Sequence, residues 1–127
     1  MNKIKDLISK MTLEDKVKLC SGADFWGTEE MEQYGIPKMF CSDGPSGLRR
    51  QLGEADHLGV NNSEPATCFP AACTSGSTWN TELLEDVGRA IGEEALGLQT
   101  DVVLGPGVNI KRNPLCGRIF EYFSEDP

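Results

Sequence analysis

The sequence predicts an α/β fold with a parallel sheet, and three stretches carry that expectation. Ile36-Pro-Lys-Met-Phe-Cys41 reads as a strand, Asn80 to Gly97 has the apolar spacing of a helix, and Asp101-Val-Val-Leu-Gly105 is a β-branched run. Strand, loop, helix, strand is the order of a βαβ unit. Its crossover makes the two strands parallel and leaves ligand chemistry to their C-terminal ends.

Taken in order, residues 3–10 form a short helix. Thr12-Leu-Glu-Asp15 matches a capping box, in which the Thr12 hydroxyl accepts from the amide three residues on. Leu13, Val17 and Cys20 give the second short helix one apolar face, and Ser21 and Gly22 end it. A loop with Phe25 and Trp26 leads to the first strand, where Pro37 sits near the start and a missing amide donor is tolerated. The strand runs into Asp43-Gly-Pro-Ser-Gly47, dense in turn formers. Residues 50–66 lack periodicity and form a long loop, of the kind that in compact domains is functional or mobile. Asn80 or Thr81 then caps the clearest helix. Glu82, Glu85 and Asp86 suit its positive N-terminal end, and Leu84, Val87, Ile91, Ala95 and Leu98 recur at helical spacing. Gly97 marks the exit toward the second strand.

Composition narrows the function classes. A chain of 127 residues is long enough for one ordinary domain with a single core. Apolar and charged fractions of 39% and 25% are those of a globular protein, which excludes disordered and collagen-like classes. Apolar stretches are only a few residues long, so nothing reads as a membrane span. The N-terminal MNKIKDLISKMTLEDK holds a charge every few residues and has no secretory apolar core, which makes the cytoplasm the expected location. A net charge of −8 argues against nucleic acid or an anionic membrane as partner, because both require clustered Lys and Arg. The five cysteines (Cys20, Cys41, Cys68, Cys73, Cys116) are odd in number and form no CxxC. With His57 as the only histidine, neither a disulfide framework nor a zinc site is expected; free, mostly buried thiols are.

Candidate chemistry centres on the end of each strand. A carboxylate at Asp43 can accept hydrogen bonds from two vicinal sugar hydroxyls, or it can simply organise its turn. Arg49, Arg112 and Arg118 offer forked donors for hydroxyls or a carboxylate, against the alternative of surface ion pairs. Arg118 stands out, with Gly117 before it and Phe120, Tyr122 and Phe123 after it. Trp26 and Trp79 can each supply a stacking face for a pyranose or serve the core. Rival motifs fail. Gly44-Pro-Ser-Gly47 is not G-x-S-x-G and has no base. Gly105-Pro-Gly107-Val-Asn-Ile-Lys111 is not a P-loop. His57 reads as a solvated loop residue, and Glu121, Glu125 and Asp126 as solvated or structural acids rather than a glycosidase pair.

The segments MTLEDKVKLCSG (11–22), SDGPSGLR (42–49), FPAACTSGSTWN (69–80) and LGPGVNIKRNPLCGRIFEYFSEDP (104–127) resemble the N-terminal part of the family-3 glycoside hydrolases, the β-glucosidase group. The resemblance implies a (β/α)8 TIM barrel, of which this chain would hold an incomplete N-terminal portion across residues 1–127. It also implies hydrolysis of β-glycosides with retention, no metal and no organic cofactor. The family's substrate-binding aspartate falls on Asp43 and its glycine-arginine pair on Gly117-Arg118. Arg49 matches the arginine that ends the first motif. Ser46 stands where histidine is frequent, and Ile119 where asparagine is usual. The nucleophile, the acid/base and a lysine-histidine pair lie beyond Pro127 in the family, so no catalytic acid is assigned and the 127-residue chain alone is expected to be inactive. Two alternatives remain at this stage: a non-catalytic sugar-binding module, and a partial barrel completed by another polypeptide.

Overall fold

The computed structural model describes residues 2–51, 53 and 61–126; His57 and the middle of the 50–66 loop lie outside the described residues. The chain is α/β and divides into two compact units, Met1–Cys41 and Ser42–Pro127.

The first unit opens with helix α1 (Asn2–Lys10) and helix α2 (Leu13–Ser21). The expected capping box is present in full. The Asp15 amide donates to the Thr12 hydroxyl at 3.1 Å and the Thr12 amide to the Asp15 carboxylate at 3.3 Å, so two amides with no helical partner are satisfied reciprocally. Gly22 ends α2 with a φ of 76° and its amide on the Lys18 carbonyl. The apolar face of α2 is not buried: Leu13 is 72% and Val17 55% exposed. Burial falls instead on Met11 and Met31. Polar contacts complete the unit. Tyr34, in the 3₁₀ turn Glu32–Tyr34, donates to the Asp15 carboxylate at 2.7 Å. Asp24 accepts from the amides of Trp26 (2.9 Å) and Gly27 (2.6 Å) and from the Lys38 ammonium.

The first strand lies further along than expected. Residues 36–40 do not form it; strand β1 is Cys41–Asp43. Ile36 pairs with Met31 and Phe40 with Gly27 in isolated antiparallel bridges, and Pro37 between them has no amide to give to a ladder. Asp43 therefore ends β1 instead of following it.

From Ser42 onward β1 belongs to the second unit, where it is hydrogen-bonded to strand β2 (Val102–Leu104). Between them come helix α3 (Ala72–Gly76), which the sequence reading did not mark, and helix α4 (Thr81–Gly97). Asn80 is the cap of α4, its side chain accepting from the Leu83 amide at 3.0 Å. Ala95 is buried on the expected face, with Leu84, Val87, Ile91 and Leu98 half-buried beside it. The helix is stopped at Gly97 by Gln99, whose φ of 53° turns the chain so that the Thr100 amide reaches the Ala95 carbonyl at 2.9 Å. β2 follows at once. Among the described residues the sheet has two strands, and its apolar residues are only partly covered, with Leu104 49% exposed.

The cysteine expectation is half right. All five are free, but Cys20, Cys68, Cys73 and Cys116 are exposed and Cys41 is half-buried. Cys20 lies on the uncovered face of α2; the others, apart from Cys41, sit in loops and on the short α3, where little chain is stacked over them. No described helix is long and apolar enough to cross a membrane.

Candidate functional site

β1 ends at Asp43, and residues 43–49 fold back on it as a closed turn. The Arg49 amide donates to the Asp43 carbonyl at 2.9 Å, the two residues forming an antiparallel bridge, and Leu48 is buried at 6% exposure. That closure places the side chains of Asp43 and Arg49 at the two ends of one short turn. Asp43 is half-buried, which lowers its hydration without removing it.

The loop after β2 comes back to the same place. A Cβ on Gly105 would lie 2.9 Å from the Pro45 Cα, so glycine is what lets the exit of β2 touch the 43–49 turn backbone to backbone. Further along, Arg118 precedes a 3₁₀ turn, Ile119–Glu121. Its guanidinium Nε donates to the Glu121 carboxylate, and the group lies over the Tyr122 ring at 6.0 Å. Glu121 is 14% exposed on its side chain and Tyr122 is buried at 8%, whereas Arg118 is 71% exposed. A well-packed acid and ring thus hold the arginine, whose side chain is otherwise exposed.

Arg118 has its pKa raised above the ordinary arginine value, first by the hydrogen bond to Glu121, then by the charges of Glu121 and Tyr122, and also by the charge of Asp43. Packing joins the same segments: a Cβ on Gly107 would lie 3.1 Å from both the Glu121 carbonyl oxygen and the Tyr122 ring, just after Gly105 has met the 43–49 turn. Asp43 and Arg49 thus share one turn, and the segment after β2 that leads to Arg118 packs against that turn at Gly105. Arg112 is exposed, and its amide donates to the Ile110 carbonyl at 3.0 Å. Glu125 and Asp126 are exposed, and Glu121 is the ion-pair partner of Arg118, in keeping with structural or solvated acids. Trp79 is 91% exposed, and Trp26 packs edge-on to Phe25 with centroids 4.8 Å apart. The roles of Glu121 and Tyr122 as supports of Arg118 were missed from the sequence. An acid three residues after an arginine in a tight turn was the available signal.

A cavity of about 440 Å³ also lies in this unit, between the inner face of α4 (Leu84, Val87, Ile91), Val103 of β2, and Phe69 and Phe123. None of Asp43, Arg49 and Arg118 lines it. Its only side-chain hydroxyl is that of Ser75. A sugar brings many hydroxyls that need partners when buried, so this space is ill-suited to one. The polar strand-end cluster, not the cavity, is the candidate site.

Comparison with known proteins identifies the family. Residues 7–127 match the glycosyl hydrolase family 3 N terminal domain. The chain belongs to glycosyl hydrolase family 3. It is 56% identical over 124 residues to the thermostable beta-glucosidase B of Acetivibrio thermocellus, covering 98% of this chain and 16% of that protein. It is 50% identical over 121 residues to an exo-alpha-(1->6)-L-arabinopyranosidase of Bifidobacterium longum, covering 94% and 16%. Among solved structures, the beta-glucosidase of Kluyveromyces marxianus in complex with glucose superimposes with a TM-score of 0.84 at 38% identity, covering 98% of this chain and 14% of that one. The family-3 chain therefore spans about one sixth of the length of the curated relatives it matches.

Proposed function

We propose that residues 1–127 are the N-terminal part of a (β/α)8 barrel domain in a retaining β-glycosidase, acting on the non-reducing end of β-glycosides in the cytoplasm. In this reading Asp43, Arg118 and Arg49 bind the terminal sugar. The observation that carries it is the packing of the segment after β2 on the turn that follows Asp43: Gly105 meets Pro45, and Gly107 meets Glu121 and Tyr122, the two residues that hold Arg118. A carboxylate accepts from two hydroxyls of a pyranose, while the guanidinium of an exposed arginine donates to a third. Such groups at the C-terminal ends of strands are how barrel enzymes hold substrate.

The barrel part of the proposal has its own support. A two-stranded sheet is marginal by itself, and parallel sheets are normally covered on both faces. Val102 and Leu104 of β2 are 37% and 49% exposed, which suits strands that take further neighbours in a larger barrel. Retention needs two carboxyl groups about 5–5.5 Å apart, a nucleophile and an acid/base. Neither role is assigned to a residue among 1–127.

The test is hydrolysis of p-nitrophenyl β-D-glucoside by the full natural polypeptide that contains residues 1–127, with an α-L-arabinopyranoside in parallel because one relative carries that activity in its name. Asp43→Asn and Arg118→Ala are each expected to lower kcat/KM by about a hundredfold or more, the scale of losing a charged hydrogen bond to substrate in the transition state. Wild-type rates in both variants would sink the assignment.

A further inference from the structure

We propose that Glu94 is a positioning residue for the sugar-facing turn 43–49, acting through Thr67; this rests on the glycone-binding reading above. Glu94 lies near the C-terminal end of α4, one residue before the buried Ala95. A glutamate on a helix surface usually stays solvated or pairs one turn away, as Glu85 does with Arg89 at 3.2 Å. Glu94 instead reaches a segment 27 residues earlier in the chain. Its two carboxylate oxygens accept from the Thr67 amide at 3.1 and 3.2 Å, and one of them also accepts from the Thr67 hydroxyl. Both polar hydrogens of one residue are held by one charged group, the stronger kind of hydrogen bond.

Thr67 is where that hold is passed on. A Cβ on Gly47 would lie only 2.1 Å from the Thr67 carbonyl oxygen, so the two backbones are in direct contact, and Gly47 takes a φ of 126° that disfavours any other residue. Two residues on, the Phe69 amide donates to the Ser46 carbonyl at 2.8 Å. Residues 67–69 thus press on 46–47 from outside, while the Arg49 amide to Asp43 carbonyl bond closes the turn from inside. Asp43 and Arg49 stand at the ends of that turn. Glu94 fixes Thr67, Thr67 fixes the turn, and the turn sets the spacing of the two side chains. Binding groups must be held to within a fraction of an ångström by such supports to work well.

The experiment compares Glu94→Ala and Glu94→Gln in the full natural polypeptide containing residues 1–127. Amide hydrogen exchange reads the clamp directly. Glu94→Ala is expected to speed exchange at Phe69 and Arg49, whose amides bond Ser46 and Asp43, whereas Glu94→Gln keeps an acceptor oxygen and stays near wild type. With p-nitrophenyl β-D-glucoside, Glu94→Ala is expected to lower kcat/KM about tenfold, the factor matching ~1.4 kcal/mol, and Glu94→Gln to restore most of it. In an Arg49→Ala background the loss from Glu94→Ala should shrink, because the two share one route. Unchanged exchange at both amides, or a kinetic loss that simply adds to that of Arg49→Ala, overturns the proposal. A wild-type polypeptide without glycosidase activity overturns the functional reading instead, and the exchange result then decides the Glu94 clamp by itself.

Discussion

Gly35 and Gly47 hold positive φ angles, 65° and 126°, one in each compact unit, yet their surroundings differ. A Cβ on Gly35 would meet nothing within 4 Å, whereas on Gly47 it would collide with the Thr67 carbonyl. The contrast extends to the units. Met1–Cys41 is held by local bonds between near neighbours: the Thr12–Asp15 box, the Asp24 hub and the short bridges around residues 27–40. Ser42–Pro127 is held where segments distant in sequence come together, residue 47 on 67, 45 on 105 and 67 on 94. The candidate sugar site belongs to the second kind, because a binding cluster needs groups from several segments at once.

The largest expected effect breaks that comparison at its sharpest point. Gly47→Ala combines an unfavourable φ with an overlap that only backbone movement can relieve, so a loss of roughly 3 kcal/mol or more is expected. Gly35→Ala faces only the left-handed backbone cost, about 1 kcal/mol. Urea denaturation of the two variants reads the difference, and equal losses would show that the Thr67 contact does not bear on stability. Next in size come the caps. Thr12→Ala removes one bond of a reciprocal pair and leaves the Asp15 amide without its acceptor, so about 1 kcal/mol is expected; Asn80→Ala loses a single bond on a longer helix, about 0.5 kcal/mol. Exchange at the Asp15 and Leu83 amides, which those caps hold, checks the order.

What was legible in the sequence follows the same division. Features set by neighbours could be read directly: the Thr12 box, the Asn80 cap, the apolar spacing of α4 and the β-branched residues of β2. Placing the first strand at 36–41 failed because Ile36 and Phe40 use their backbones on nearby bridges, a choice made by the loop around Trp26 rather than by residue type. Helix α3 is five residues long, with no side-chain cap and no acid in its first turn, so it left no periodic signal. In the candidate site, Asp43 and Arg118 stood out from their turn and aromatic settings. That Glu121 holds Arg118 was open to a reading of the i,i+3 spacing, whereas Glu94 reaching Thr67, 27 residues away, depends on a contact that no spacing rule encodes.

The smallest expected effect tests whether the first unit is as local as described, since the Tyr34 hydroxyl reaches back 24 residues to the Lys10 carbonyl and 19 to the Asp15 carboxylate. The Tyr34 hydroxyl, ahead of the Thr12 hydroxyl, holds the Asp15 carboxyl below its usual range, and the same bond raises the Tyr34 phenol above its own. A carboxyl whose pKa is depressed by folding adds stability above its unfolded value, about 3.9, and loses it as pH falls through the folded value. A phenol whose pKa is raised adds stability below about 10 and loses it as pH rises through the folded value. The advantage of the natural sequence over Tyr34→Phe should therefore be greatest between those limits and shrink at both ends. Carboxyl-carbon NMR titration should show the Asp15 pKa moving up toward its ordinary value in Tyr34→Phe. Thr12→Ala should move it the same way by less, since the Thr12 hydroxyl ranks behind Tyr34. An Asp15 titration untouched by Tyr34→Phe would mean that the unit is held by adjacent residues alone.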